Sequence, residues 1–296
     1  MIIEIFYNSI LSALLLSLVA IGFNLIFNAT KVFHLAHGAI YIYAVYGLFY
    51  FNFLLVQWLL PVMAAIISIL LSLILIVGVI LLIDILVYRP LYLKGTNPTI
   101  SLISSLGVYI LLINIITFFY GNESVSINNN FNIVFSNQWF KITESEFVQL
   151  IVCGVTLIGV FLFSKSIYYV RIRAIGDNYA VAAKFGINIQ KTRLIALVAG
   201  SLLVGIAGMI KGYNVAIDPH SGMTVTLAAA VAVIIGGEGS LKGTILACLV
   251  IALIENFSIL IFSSQWKDTI TYILLILVLL FYHKGLISIN QRIETR

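Results

Sequence analysis

Residues 32–83 read VFHLAHGAIYIYAVYGLFYFNFLLVQWLLPVMAAIISILLSLILIVGVILLI, from Val32 to Ile83. These 52 residues contain no Asp, Glu, Lys or Arg. As one helix at about 1.5 Å per residue they would reach roughly 78 Å, far beyond the ~30 Å hydrocarbon core of a bilayer. The stretch therefore enters lipid and folds back, and Asn52 to Gln57 supplies the turn. The rest of the chain agrees. Of its 296 residues, 62% are hydrophobic and 9% charged, against roughly 25% charged in a soluble domain. No water-soluble fold hides that much apolar surface. A soluble enzyme, a disordered chain and a disulfide scaffold are excluded. Cys153 and Cys248 sit inside apolar runs and read as small core hydrophobes. The apolar runs are continuous rather than alternating, which excludes a transmembrane β-barrel.

A crossing helix needs about 20 apolar residues. Working outward, the spans fall near 5–27, 37–54, 58–87, 99–119, 147–164, 193–211, 224–237, 241–262 and 269–284. The fold class is an all-α, polytopic helical bundle with eight to nine transmembrane helices, in one domain over 1–296. The count stays open because 37–54 and 224–237 are short. The N-terminus carries Glu4 and no basic segment ahead of the first apolar run, so it does not read as a cleavable signal. Placing loop 165–193 in the cytoplasm puts 13 of the 16 basic residues on that side, including Lys31, Arg89, Lys94, Lys242, Lys284, Arg292 and Arg296. Loop 120–146 is then external, the N-terminus outside and the C-terminus inside, as the positive-inside rule expects. The positive charge belongs to topology, and no nucleic-acid partner is implied.

Two segments interrupt the apolar pattern: Asn28 to Gly38, and Gly236-Gly-Glu-Gly-Ser-Leu-Lys-Gly243. Each precedes an apolar run. Gly-broken helices in the two halves of a transporter point to its path; plain turns are the other reading. The candidate path residues are His34, His37, Gly38, Gly236, Gly237, Glu238, Gly239 and Glu255. His34 and His37 lack further ligands nearby, so no metal is expected. Lys242-Gly243-Thr244 lacks the spacing of a phosphate loop. No cofactor or nucleotide site follows, and any ATP must be bound by a partner. Glu255, mid-span beside Asn256, either lines a path or pairs within the bundle. Asp84, one turn before Arg89, reads as snorkelling or locally paired. Gly200, Gly205, Gly208 and Gly212 give one helix a small-residue face for close packing. In loop 165–193, Asp177 or Asn178 can cap a short helix over Tyr179–Phe185, with Gly186 as its stop.

Together these segments resemble the permease subunits of branched-chain amino acid ABC transporters. The resemblance runs through Val32–Tyr41, Tyr88-Arg-Pro-Leu91, Ile100–Gly107, Arg173–Asn188, Gly236–Gly243, Glu255 and Lys267-Asp268, in that order. His34, Leu35 and His283-Lys284 depart from the family's usual residues. The resemblance implies a second permease subunit (a copy or a paralogue), cytoplasmic ATPases and an external substrate-binding protein, in the inner membrane. It also implies that Arg173, Tyr179, Ala182, Ala183, Lys184, Gly186 and Asn188 couple to the ATPase. An ion- or proton-coupled secondary transporter is the alternative. It needs titratable groups within the spans, and only Glu255 is clearly there. A membrane-embedded enzyme would need a cluster of His and carboxylates, whereas the four His are scattered. In a background without Cys153 and Cys248, cysteines placed at Ser126 and Asn178 should label from opposite sides of intact cells. Labelling of both from outside overturns the orientation.

Overall fold

The computed structural model describes residues 2–95, 97–126, 133–136, 141–260 and 266–281. The helices are α1 (Ile2–Thr30), α2 (His37–Leu55), α3 (Pro61–Ile83), α4 (Arg89–Leu93), α5 (Pro98–Tyr120), α6 (Glu144–Ser164), α7 (Ile167–Asp177), α8 (Tyr179–Lys184), α9 (Ile189–Asn214), α10 (Ser221–Gly236), α11 (Leu241–Ser258) and α12 (Lys267–Phe281). A π-helical turn, Asp84–Tyr88, joins α3 to α4. Among the described residues, seven helices are long and apolar enough to cross a membrane: α1, α2, α3 with its extension to Leu93, α5, α6, α9 and α11. Two shorter apolar helices, α10 and α12, lie in the two remaining stretches expected from sequence, of eight to nine in all. The last expected span, 269–284, passes out of the described residues after Phe281, and Lys284, Arg292 and Arg296 lie outside them too. A small hairpin, β1 (Ile133–Ser136) with β2 (Lys141–Thr143), is the one departure from all-α among the described residues. It pairs Ile133 with Thr143 and Ser136 with Lys141.

Local chemistry sets the helix ends. Pro61 opens α3 and Pro98 opens α5, where the missing N–H costs nothing. Thr143 and Glu146 form a reciprocal capping box on α6. Tertiary contacts then sort the ends of the bundle. Asn28 abuts Gly176, Gly239 donates to Asn24, Tyr169 donates to Gly239, and Arg193 meets Asp84. The segments bearing Lys31, Arg89, Lys94, Lys242 and loop 165–193 therefore meet at one end. At the other, Val125 pairs with Ile217, and Tyr46 donates to the carbonyls of Glu123 and Ile217. The structure thus gathers the basic loops as the charge count expects.

The core forms where α9 crosses α1, α2 and α3. Glycines set the spacing. A Cβ on Gly22 would stand 2.6 Å from the carbonyl oxygen of Gly200, and one on Gly200 would strike Gly22 in return. Gly38 on α2 and Gly222 on α10 repeat the arrangement. On α9, Gly208 lies against the Tyr41 carbonyl, Gly205 against Ile76, and Gly212 against Val45. Lipid gives helices no hydrophobic reason to associate, so close backbone contact carries the packing. Gly38→Ala should lower stability by about 1–3 kcal/mol, because its methyl overlaps the Gly222 carbonyl. Gly107→Ala, with nothing nearby, should cost nothing. Unfolding of the detergent-solubilised chain measures both, and an equal effect of the two overturns the packing account.

Candidate functional site

Lys31 adopts a positive φ and ends α1. The link 31–36 then enters the protein, with Lys31 at the surface and residues 34–36 buried, and the backbone of that inner half must find partners inside the protein. Ser105 of α5 accepts from the Ala36 N–H at 3.1 Å. Tyr88 donates to Ser105 at 3.3 Å, and its hydroxyl lies 2.7 Å from His34 Nδ1. His37 Nε2 lies 3.1 Å from the Val19 carbonyl, so that nitrogen carries the proton. His34 and His37 are both buried, with ring centroids 5.8 Å apart.

The π-helical turn points Asp84 and Tyr88 into the protein. Such turns often accompany functional sites. Asp84 accepts from Arg193 Nη2 at 3.1 Å, and both side chains are largely buried. Arg193 also stacks over Tyr92, its Cζ 4.1 Å from the ring centroid. Sequence placed Asp84 as snorkelling or locally paired; the observed partner lies 109 positions along the chain. Arg193 read as one of several loop charges, yet it is 4% exposed on α9. A carboxylate ending a long charge-free run was the available signal, since a buried charge needs a partner.

Between these groups lies a cavity of about 280 Å³. Ile26, Val32, Leu91 and Leu197 form aliphatic wall, and His34, Tyr88, Tyr92 and Arg193 supply polar atoms. Ser101 of α5 and the half-exposed Lys31 also border it.

The other path candidates occupy different surroundings. Gly236, Gly237 and Gly239 form a buried turn between α10 and α11. Gly236 and Gly243 are in backbone contact across it. Asn24 holds the turn twice, accepting from the Gly239 N–H and donating to Thr244. Glu238 is exposed, 3.7 Å from Lys31, a surface pair of little energy. Gly38 is the α2–α10 contact. Glu255 accepts from Thr271 and so joins α11 to α12.

Loop 165–193 is mostly helical. Sequence expected only the short helix near Tyr179; α7 is an addition, capped by Ser166. Asn178 caps α8 by accepting from Val181, and Gly186 follows at φ +75°. Asn188 caps α9. Ala182 faces inward, packed with Ile175 and Ile189. Tyr179, Ala183, Lys184 and Phe185 face outward, and Phe185 is 83% exposed. Arg173 is half-buried on α7.

Residues 5–279 match the family model described as "Branched-chain amino acid transport system / permease component". The chain is 27% identical to the Salmonella typhimurium high-affinity branched-chain amino acid transport system permease protein LivH, over 95% of this chain and 94% of that protein. It is 29% identical to the corresponding BraD protein of Pseudomonas aeruginosa, over 92% and 91%. The solved PsaBC of Streptococcus pneumoniae in complex with Fab aligns at a TM-score of 0.45 and 16% identity, covering 91% of this chain and 89% of that one.

Asp84→Ala should destabilise the chain by about 3–5 kcal/mol, because it strands Arg193. The double change Asp84→Leu with Arg193→Met should recover most of that loss in the same unfolding measurement. No recovery would show that the two charges do not act as a pair.

Proposed function

The chain belongs to the family of branched-chain amino acid transport permease components, and from that premise we propose that it imports a branched-chain amino acid, or a related small amide or polar solute, across the inner membrane, driven by a partner ATPase. It is a multi-pass membrane protein and a transport component. The partners in this reading are two cytoplasmic ATPase subunits, a second permease subunit and an external substrate-binding protein.

The observation that carries the ATPase assignment is α8. It is capped at its start, stopped by Gly186, and sits at the basic end with Phe185 and Tyr179 exposed. Exposed aromatics clustered on one short helix mark a surface that a partner covers. Lys184 and Arg173 lie at its rim, where charge steers docking more than it adds affinity. The helix is also wired to the cavity. Ala182 packs with Ile175 and Ile189, and the Tyr179 ring lies 6.1 Å from Tyr92. Arg193, one turn into α9, holds Asp84. Closure of the ATPases would move α8, and with it the arginine and tyrosine that border the cavity. ATP then shifts the population between two states of the path by binding one of them better. A proton-coupled carrier would rest on Glu255, which Thr271 already engages.

Ala183→Asp and Gly186→Val should leave membrane insertion intact. Both should abolish co-purification with the ATPase and ATP-dependent leucine uptake in proteoliposomes of the assembled complex. If Ala183→Asp retains the ATPase and transports at the wild-type rate, α8 is only a connector.

A further inference from the structure

Helix α7 has two unlike faces. Tyr169 and Ile172 are buried against the rest of the protein, and Tyr169 donates to the Gly239 carbonyl. Ile167, Tyr168, Val170 and Arg171 are exposed, Ile167 at 58% and Val170 at 54%. At 3.6 residues per turn these four fall within one half of the helix, opposite Tyr169. Helix α6 leads directly into this face, since only Lys165 and Ser166 separate the two helices. Phe163 of α6 meets Tyr169 on the inner side, ring centroids 6.4 Å apart, whereas Phe161 and Leu162 are exposed. Helix α6 is long and apolar enough to cross a membrane, so lipid covers its exposed side chains. Cations frame the patch. Lys165 Nζ lies 4.5 Å from the Phe161 ring centroid, and Arg171 Cζ 5.9 Å from that of Tyr168. Among the described residues neither cation has an ion pair; the pairs are Lys31 with Glu238 and Arg193 with Asp84. The one acid in loop 165–193 is Asp177, six residues beyond Arg171.

We propose that the outer face of α7 lies in the membrane interface at the basic end and binds anionic phospholipid, with Ile167, Tyr168 and Val170 among the upper acyl chains and Lys165 and Arg171 on the headgroup phosphates. A helix with one apolar face beside cations lies in the plane of the interface. Tyrosine belongs at headgroup level, and long cationic side chains keep their stems on apolar surface while the charge reaches outward. Each cation close to an anionic leaflet strengthens attachment roughly fivefold. A soluble partner covering this patch would have to follow it onto Phe161, which belongs to a spanning helix; lipid covers both without a break. The inference needs no particular solute. It gives α7 a task beside α8: Ile175 of α7 packs with Ala182 of α8, so lipid on one side of α7 fixes the depth of the short helix carried on the other.

The test places a single cysteine at Val170 of the full-length chain, with Cys153 and Cys248 replaced by alanine, and attaches an environment-sensitive fluorophore. The chain is held in nanodiscs of phosphatidylcholine and phosphatidylglycerol. Doxyl-labelled lipid should quench the label and aqueous iodide should not. The same label at Phe185 should respond to iodide, since α8 faces water when no partner is bound. Doxyl phosphatidylglycerol should reach half-maximal quenching at a mole fraction at least about fivefold lower than doxyl phosphatidylcholine. That preference should shrink at 1 M salt, where screening acts within about 3 Å. Lys165→Gln with Arg171→Gln should erase the preference yet keep quenching by doxyl phosphatidylcholine, which reports that the helix still lies in place. Iodide quenching at position 170 without lipid quenching puts the face in water and overturns the proposal. A label shielded from both quenchers, or lipid quenching lost when the partner ATPase binds, gives the face to protein and also overturns it. Equal titration by the two lipids, or a preference that survives the double substitution, overturns the headgroup assignment.

Discussion

Backbone contact at two glycine pairs, Gly22 with Gly200 and Gly38 with Gly222, determines where the central helices sit. Each pair is reciprocal: a side chain added on either partner would strike the other's carbonyl oxygen. Lipid chains are as apolar as leucine, so helices in a bilayer gain little by hiding apolar surface from each other. Dispersion between closely approached backbones takes over, and it falls away within fractions of an ångström. The remaining glycines of α9 extend the same contact to α2 and α3. Helix α9 can therefore touch three neighbours at once, which a helix of leucines could not.

Close packing has a consequence for the links. Residues 34–36 and, around the exposed Glu238, residues 237, 239 and 240 are buried, where water serves peptide groups poorly. Side chains from distant helices replace it. Ser105 serves the first link, and Asn24 and Tyr169 serve the second. Both links lie at the basic end, beside α1. One is anchored by polar side chains on every side. The other borders the cavity lined by His34, Tyr88, Tyr92 and Arg193.

The Asp84–Arg193 pair stands between these two regions. A buried ion pair seldom adds net stability over an apolar replacement, because desolvation consumes the attraction. Its value here is positional. It holds Arg193 in the lining of the cavity, and it ties the π-helical turn to the start of α9, next to the α7–α8 surface.

The sequence by itself determined the class, the positions of the apolar stretches though not their number as spans, the gathering of basic loops at one end and the capped helix beginning at Tyr179. Each rests on something local or on a sum: apolar length against bilayer thickness, charge against lipid, and caps such as Asn178 and Gly186 that act within a few residues. Helix α7 escaped because its arginines gave a short amphipathic segment the look of a loop; packing of Tyr169, Ile172 and Ile175 against other helices makes it one. Whether Ala182 or Ala183 faces outward was equally undetermined until Ile175 and Ile189 claimed Ala182. Only the tertiary structure decided that Asp84 meets Arg193, that Asn24 holds Gly239, and that His34 and Arg193 share a cavity. Those partners lie many tens of residues apart, and which helices abut is set by sub-ångström fit between backbones, a quantity that no single stretch of sequence carries.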